Sequence, residues 1–97
     1  MLTAHKQVGG FKMEVTERLR QLVEYMARSI LDDEHPLKVH AVNGAENIVL
    51  EVSCSPDDIG LLIGRNGRVI ESIRTIVRAA CRGEHIRITV EVLNSRN

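Results

Sequence analysis

Two glycines three residues apart, Gly64 and Gly67, enclose Arg65 and Asn66, and Arg68 follows directly. Glycine at both ends removes the Cβ atoms, so the backbone can take turn geometry and a ligand can come close to the main chain. The segment after the pair has helical periodicity. The first N–H groups of a helix lack intrahelical acceptors, and the helix dipole places partial positive charge there. An anion, a phosphate above all, is the guest such a turn suits. Two other glycine motifs are excluded by spacing. A Walker A loop carries Lys and then Ser or Thr after its last glycine, where this chain has Arg68 and Val69. A dinucleotide fingerprint has glycines at its first, third and sixth places, whereas Gly60, Gly64 and Gly67 are four and three apart. By itself a Gly-x-x-Gly also suits a bare helix corner that needs only flexible backbone, so its surroundings must decide between the two readings.

Charge favours the phosphate. The formal net charge is zero, but residues 13–63 hold ten acids against four bases, while residues 64–97 hold seven arginines against three glutamates. The positive surplus of the main body therefore begins at the glycine turn, and a polyanion responds to the local field more than to the total. Arg74, Arg78 and Arg82 continue it at four-residue steps, although Glu71 shares their face and a solvated helix face is the plainer reading of those three.

Other chemistry finds little support. His35, His40, His85, Cys54 and Cys81 include no pair at the close spacing of a zinc site, so no metal or cofactor is expected. Ser72, Thr75 and the histidines form no triad visible in the sequence, and no enzyme is expected. The two cysteines read as small buried hydrophobes. No apolar run approaches the ~18 residues of a membrane span and no signal-peptide core is present, which points to the cytoplasm.

The elements that must position the turn follow from periodicity. Residues 1–12 carry Gly9-Gly10 and no pattern, and read as a flexible extension. From Met13 to Leu31, Val15, Leu19, Leu22, Val23, Met26 and Ile30 mark one face of a helix, with Glu14–Arg18 and Glu24–Arg28 spaced as ion pairs. Asp32 to Pro36 ends it. Leu37–Val42 and Asn47–Ser53 alternate as two strands around an Asn43-Gly44 turn signal. Ser55-Pro56-Asp57-Asp58 supplies a capping hydroxyl, a first-turn proline and an acid, opening a short helix to about Leu62. After the glycine turn, Val69, Ile70, Ile73, Ile76, Val77, Ala80 and Cys81 share one arc of a helix that Gly83 stops, and His85–Val92 alternates as a third strand. The order α-β-β-α-α-β predicts an α+β fold, three helices on one face of a three-stranded sheet. A last strand reached through two helices can pair parallel, so the sheet is expected to be mixed.

With Ile63-Gly64-Arg65-Asn66-Gly67-Arg68 between the second and third helices, this order resembles a type II KH domain. Residues 13–93, with 94–97 as a tail, resemble the small single-domain bacterial KH proteins of the KhpA type. The stretches Ser55–Gly60 and Ile73–Ala80 carry most of that likeness. The resemblance implies single-stranded RNA binding, with Gly64, Arg65, Asn66 and Gly67 clamping about four nucleotides of backbone; Arg68, from its own place at the helix start, is expected to reach back to a phosphate. It also implies pairing, as a homodimer or with a second, larger KH protein, in the work of an RNA chaperone or post-transcriptional regulator. Phe11 and Tyr25 are too few for an aromatic stacking platform. Two other functions fit the same residues: a protein-interaction adaptor whose acidic first half does the binding, and a binder of single-stranded DNA. Leu61 or Leu62, if exposed beside the turn, would suit a dimer contact.

Overall fold

In the computed structural model the described residues are 8–81 and 85–94, with side chains from Met13 onward. Helix α1 runs Val8–Ile30, strand β1 Leu37–Asn43, strand β2 Asn47–Cys54, helix α2 Pro56–Ile63, helix α3 Arg68–Ala80 and strand β3 Arg87–Asn94, with one 3₁₀ turn, Arg65–Gly67, between α2 and α3. The sheet order is β1-β2-β3. β1 and β2 are antiparallel, and β2 and β3 are parallel. This is the expected mixed sheet, and the parallel pair arises because α2 and α3 carry the chain back to the starting end of β2.

Alternation divides the sheet into a packed face and an open one. Val39, Ile48, Leu50, Val52, Cys54 and Val90 are buried against Val15, Leu19, Val23 and Ala27 of α1, Leu62 of α2, and Ile70, Ile73 and Val77 of α3. The register Val39↔Val52↔Val92 and Ala41↔Leu50↔Val90 keeps this apolar set on one side. A shift of one residue would turn it to solvent. Leu19, Ile48 and Leu50 are fully buried, and each truncation to Ala is expected to cost about 2–5 kcal/mol.

Several elements depart from the expectations. The α1 helix begins at Val8, so the extension expected over residues 1–12 has helical backbone in 8–12, and residues 1–7 lie outside the described residues. Once a helix is nucleated each further residue adds a hydrogen bond, and the Gly9-Gly10 cost of about 1 kcal/mol each does not stop it. Glu14–Arg18 and Glu24–Arg28 are not ion-paired. Arg20 takes Glu17 at 2.9 Å and Glu24 at 3.1 Å, while Arg28 Nη1 donates to the carbonyls of Asp32, Asp33 and His35. An arginine in the last turn of a helix can donate to carbonyls of the chain that follows, and Arg28 does so here, sharing Asp32 O with the His35 N–H. The hairpin tip is Ala45-Glu46, closed by Gly44 N–H donating to Asn47 O at 2.7 Å, two residues beyond the expected Asn43-Gly44 corner. Core register outranks turn chemistry here, because Ile48 must face inward opposite Asn43. Strand β3 is displaced two residues from His85–Val92 to Arg87–Asn94, and the Gly83 stop lies outside the described residues.

Candidate nucleic-acid interface

Helix α2 starts at Pro56, which tolerates the first helical position because its missing N–H would be unpaired there. Ser55 does not cap through its hydroxyl. Its carbonyl accepts the Asp58 N–H at 2.9 Å, and its Oγ donates to Asp58 Oδ2 at 3.1 Å. After two turns the helix closes with Gly64 N–H donating to Gly60 O at 2.8 Å.

The chain then turns sharply. Gly64 has φ 81° and ψ 169°, Asn66 φ 58° and ψ 26°, and Gly67 φ 73° and ψ 16°. Asn66 is the residue other than glycine that takes a positive φ among those described, and asparagine is one of the types that visits this region at modest cost. A Cβ on Gly64 would lie 2.8 Å from the Val69 Cβ and backbone nitrogen, so space as well as φ demands glycine there. At Gly67 a Cβ would meet nothing within 4 Å, and φ alone sets the preference. Gly67 N–H donates back to Gly64 O at 3.0 Å, and Arg68 N–H to Arg65 O. The Arg65 and Asn66 amides have no backbone partner among the described residues.

Arg65, Asn66 and Arg68 are exposed, and neither arginine makes an ion pair among the described residues. The structure thus places the four residues expected to form the clamp, and Arg68 after them, in one turn at the start of α3. Two amides without a backbone partner and two guanidiniums without an ion pair belong to residues 65–68, at the end of α3 where the helix dipole is positive. This arrangement can bind phosphate oxygens without reading a base.

The remaining arginines of α3 divide. Arg74 lies against β3, its Nε and Nη2 donating to Val90 O at 3.2 and 2.9 Å and its Nη1 to Glu71 at 2.6 Å. Arg78 is exposed, and Arg82 is outside the described residues. Leu61 is 53% exposed beside the turn, whereas Leu62 is buried. A groove of about 460 Å³ between α1 and α3 is lined by Tyr25, Met26, Ile30, Val69 and Ile76 and touches Arg68. Ile76 is 46% exposed, although its spacing placed it in the apolar arc.

One cluster escaped the sequence reading. His35 Nδ1 lies 2.9–3.0 Å from both carboxylate oxygens of Asp58, the buried acid among the described residues at 3% exposure. Asp58 carried a signal as a first-turn acid; the 23 residues separating it from His35 gave none for the pairing.

Comparison with known proteins places these features in a family. The chain matches the family described as KhpA/KhpB, KH domain, over residues 20–92. It is 40% identical over 75 residues to the RNA-binding protein KhpA of Clostridium perfringens, covering 77% of this chain and 100% of that one. It is 37% identical over 75 residues to the RNA-binding protein KhpA of Clostridium acetobutylicum, again covering 77% and 100%. Among solved structures, Era in complex with MgGDPNP and nucleotides 1506–1542 of 16S ribosomal RNA aligns with a TM-score of 0.47 and 15% identity, over 84% of this chain and 32% of that one. The family match takes in the glycine turn and all three strands but for the end of β3, and both relatives are spanned over their full length: the chain belongs to the KhpA/KhpB KH-domain family.

Proposed function

We propose that the protein is a non-catalytic, cytoplasmic module for single-stranded RNA, in which Gly64–Gly67 clamps the sugar-phosphate backbone and Arg65 and Arg68 neutralise it. The observation that carries this reading is the pair of open amides at Arg65 and Asn66, set between two unpaired guanidiniums in a turn that sterically requires Gly64. The names of the relatives, RNA-binding proteins, support the choice of polyanion. One such module clamps about four nucleotides, and its affinity is weak and salt dependent. Pairing, with itself or with a second KH protein, would raise avidity by joining two weak sites. The exposed Leu61, Tyr25 and Ile76 offer the apolar surface it needs. An RNA chaperone or post-transcriptional regulator is the role that fits a weak, sequence-tolerant clamp.

The test is binding of short single-stranded RNA by wild type and by the double variant Arg65→Asp, Asn66→Asp, with folding checked by circular dichroism. Acid at both positions repels phosphate and leaves both glycines and the core in place. Affinity is expected to fall at least about tenfold at low salt, the scale of removing two charge-assisted hydrogen bonds to phosphate. Equal binding by the two proteins sinks the clamp. An RNA-blind wild type moves the function to protein partners of the acidic first half, and equal affinity for single-stranded DNA removes any role for the 2′-hydroxyl.

A further inference from the structure

A carboxylate 97% removed from solvent must find donors or a counter-charge, since an unpaired buried ion costs several kcal/mol. Asp58 has three sources. Ser55 Oγ donates at 3.1 Å, the first turn of α2 presents the positive end of its dipole, and His35 Nδ1 sits 2.9 Å from Oδ2 and 3.0 Å from Oδ1. Of these, the imidazole is the one that changes charge near neutral pH.

His35 belongs to the loop between α1 and β1, and that loop is held from two sides. Arg28 in the last turn of α1 donates to its backbone, reaching His35 O at 2.7 Å and Asp32 O at 3.0 Å. On the other side the His35 ring reaches the first turn of α2. Helix α2, eight residues long, then connects Asp58 in its first turn to the Gly60–Gly64 hydrogen bond that opens the glycine turn. The two ends of this path are therefore Arg28 on α1 and the turn itself.

We propose that His35, Asp58 and Ser55 form a proton-operated latch between the α1–β1 loop and α2, tight when the imidazole is charged and slack when it is neutral, which sets how firmly the helix carrying the glycine turn is held. With the ring protonated, the contact is a charge-assisted hydrogen bond onto a buried carboxylate. With the ring neutral, Nδ1–H still donates, but Asp58 keeps only neutral donors and the dipole, and the joint loosens without opening.

The groups facing the ring set the direction of its titration. Asp58 raises the proton affinity of His35 above the ordinary imidazole value, first through the hydrogen bond and then through its charge, against a smaller loss from burial; Asp32, 3.8 Å from Nε2, and Glu34 add to it. Arg28 faces the loop backbone with opposite sign. On β2, Cys54 has its thiol pushed up by burial and then by Asp58, so it remains uncharged through the same range. Because the folded value for His35 lies above the unfolded one near 6.5, its stabilisation is complete below 6.5 and is lost as pH rises through the folded value.

Three readouts on the intact protein test the latch. Imidazole NMR reads the His35 midpoint directly, against the ordinary imidazole value of about 6.5. His35 is expected to titrate above that value, and Tm is expected to fall between about pH 6 and pH 9 more steeply in wild type than in His35→Gln, which keeps a donor but no titratable charge. Over the same range the protection factors of the Leu61–Gly64 amides fall in wild type and stay level in His35→Gln. Parallel Tm profiles, or a His35 midpoint at or below the ordinary imidazole value, overturn the latch. A pH-dependent Tm with unchanged α2 protection reduces the pair to a stabilising contact and overturns it equally. Asp58→Asn, where it folds, is expected to return the His35 midpoint toward the ordinary imidazole value.

Discussion

Gly60, Gly64 and Gly67 lie within eight residues and face three different physical demands. Gly64 is required twice over, by φ 81° and by the Val69 backbone nitrogen 2.8 Å from any Cβ. Gly64→Ala is expected to cost about 2–3 kcal/mol, the left-handed penalty plus a clash against main chain that cannot rotate away. Gly67 answers to φ alone, so Gly67→Ala is expected to cost about 1 kcal/mol and Gly67→Asn less. Gly60 lies within α2 at a negative φ with open space around it, and Gly60→Ala is expected to stabilise by about 0.5–1 kcal/mol. Urea denaturation of the three alanine variants checks the order, and equal effects at Gly64 and Gly67 would deny the steric part. The motif spacing in the sequence distinguished Gly64 and Gly67 from neighbours. It could not rank them, because the rank depends on where Val69 falls after the turn.

The elements were legible from periodicity because each buries one face: α1 through Val15, Leu19 and Val23, β2 through Ile48, Leu50 and Val52. What periodicity missed are choices made between elements. The hairpin tip moved to Ala45-Glu46 because the packed face decided the register. Ile30 and Ile76 fall in their apolar arcs yet stay exposed, since three strands do not cover the full width of those helices. Arg74 is the same kind of case. Spacing made it one of a row of exposed cations, whereas its guanidinium caps Val90 O on the edge strand β3. Arg20 does likewise for Val39 O on the opposite edge, at 3.3 Å. Edge carbonyls held this way are poor templates for strand addition. Arg74→Ala is expected to cost about 1–2 kcal/mol of stability in urea while leaving the salt dependence of RNA binding unchanged, because that cation is already committed. A reduced salt slope in Arg74→Ala would instead place it against phosphate.

At the scale of the molecule, charge segregation decides how RNA meets the protein. If the glycine turn is the RNA site, the acid excess of residues 13–63 disfavours a polyanion elsewhere and the arginine-rich half favours its approach to the turn. Only cations without protein partners release counterions in full, and at the turn these are Arg65 and Arg68. For single strands each neutralised phosphate contributes about 0.7 to the slope of log K against log salt, so one loop engaged through both arginines gives a slope of about −1.4. Two loops of a pair engaging one strand would give about −2.8. Slope and mass can therefore be read together. If light scattering at the concentration of the binding experiment finds a dimer and an RNA long enough to span it gives the larger slope, both turns face the same strand. A dimer with the smaller slope has its two turns directed at separate RNAs, and pairing then serves assembly rather than avidity. Arg68→Gln separates the local part of the effect from the global one. It should lower the magnitude by about 0.7 per engaged loop, once for a single loop and twice where two loops share a strand.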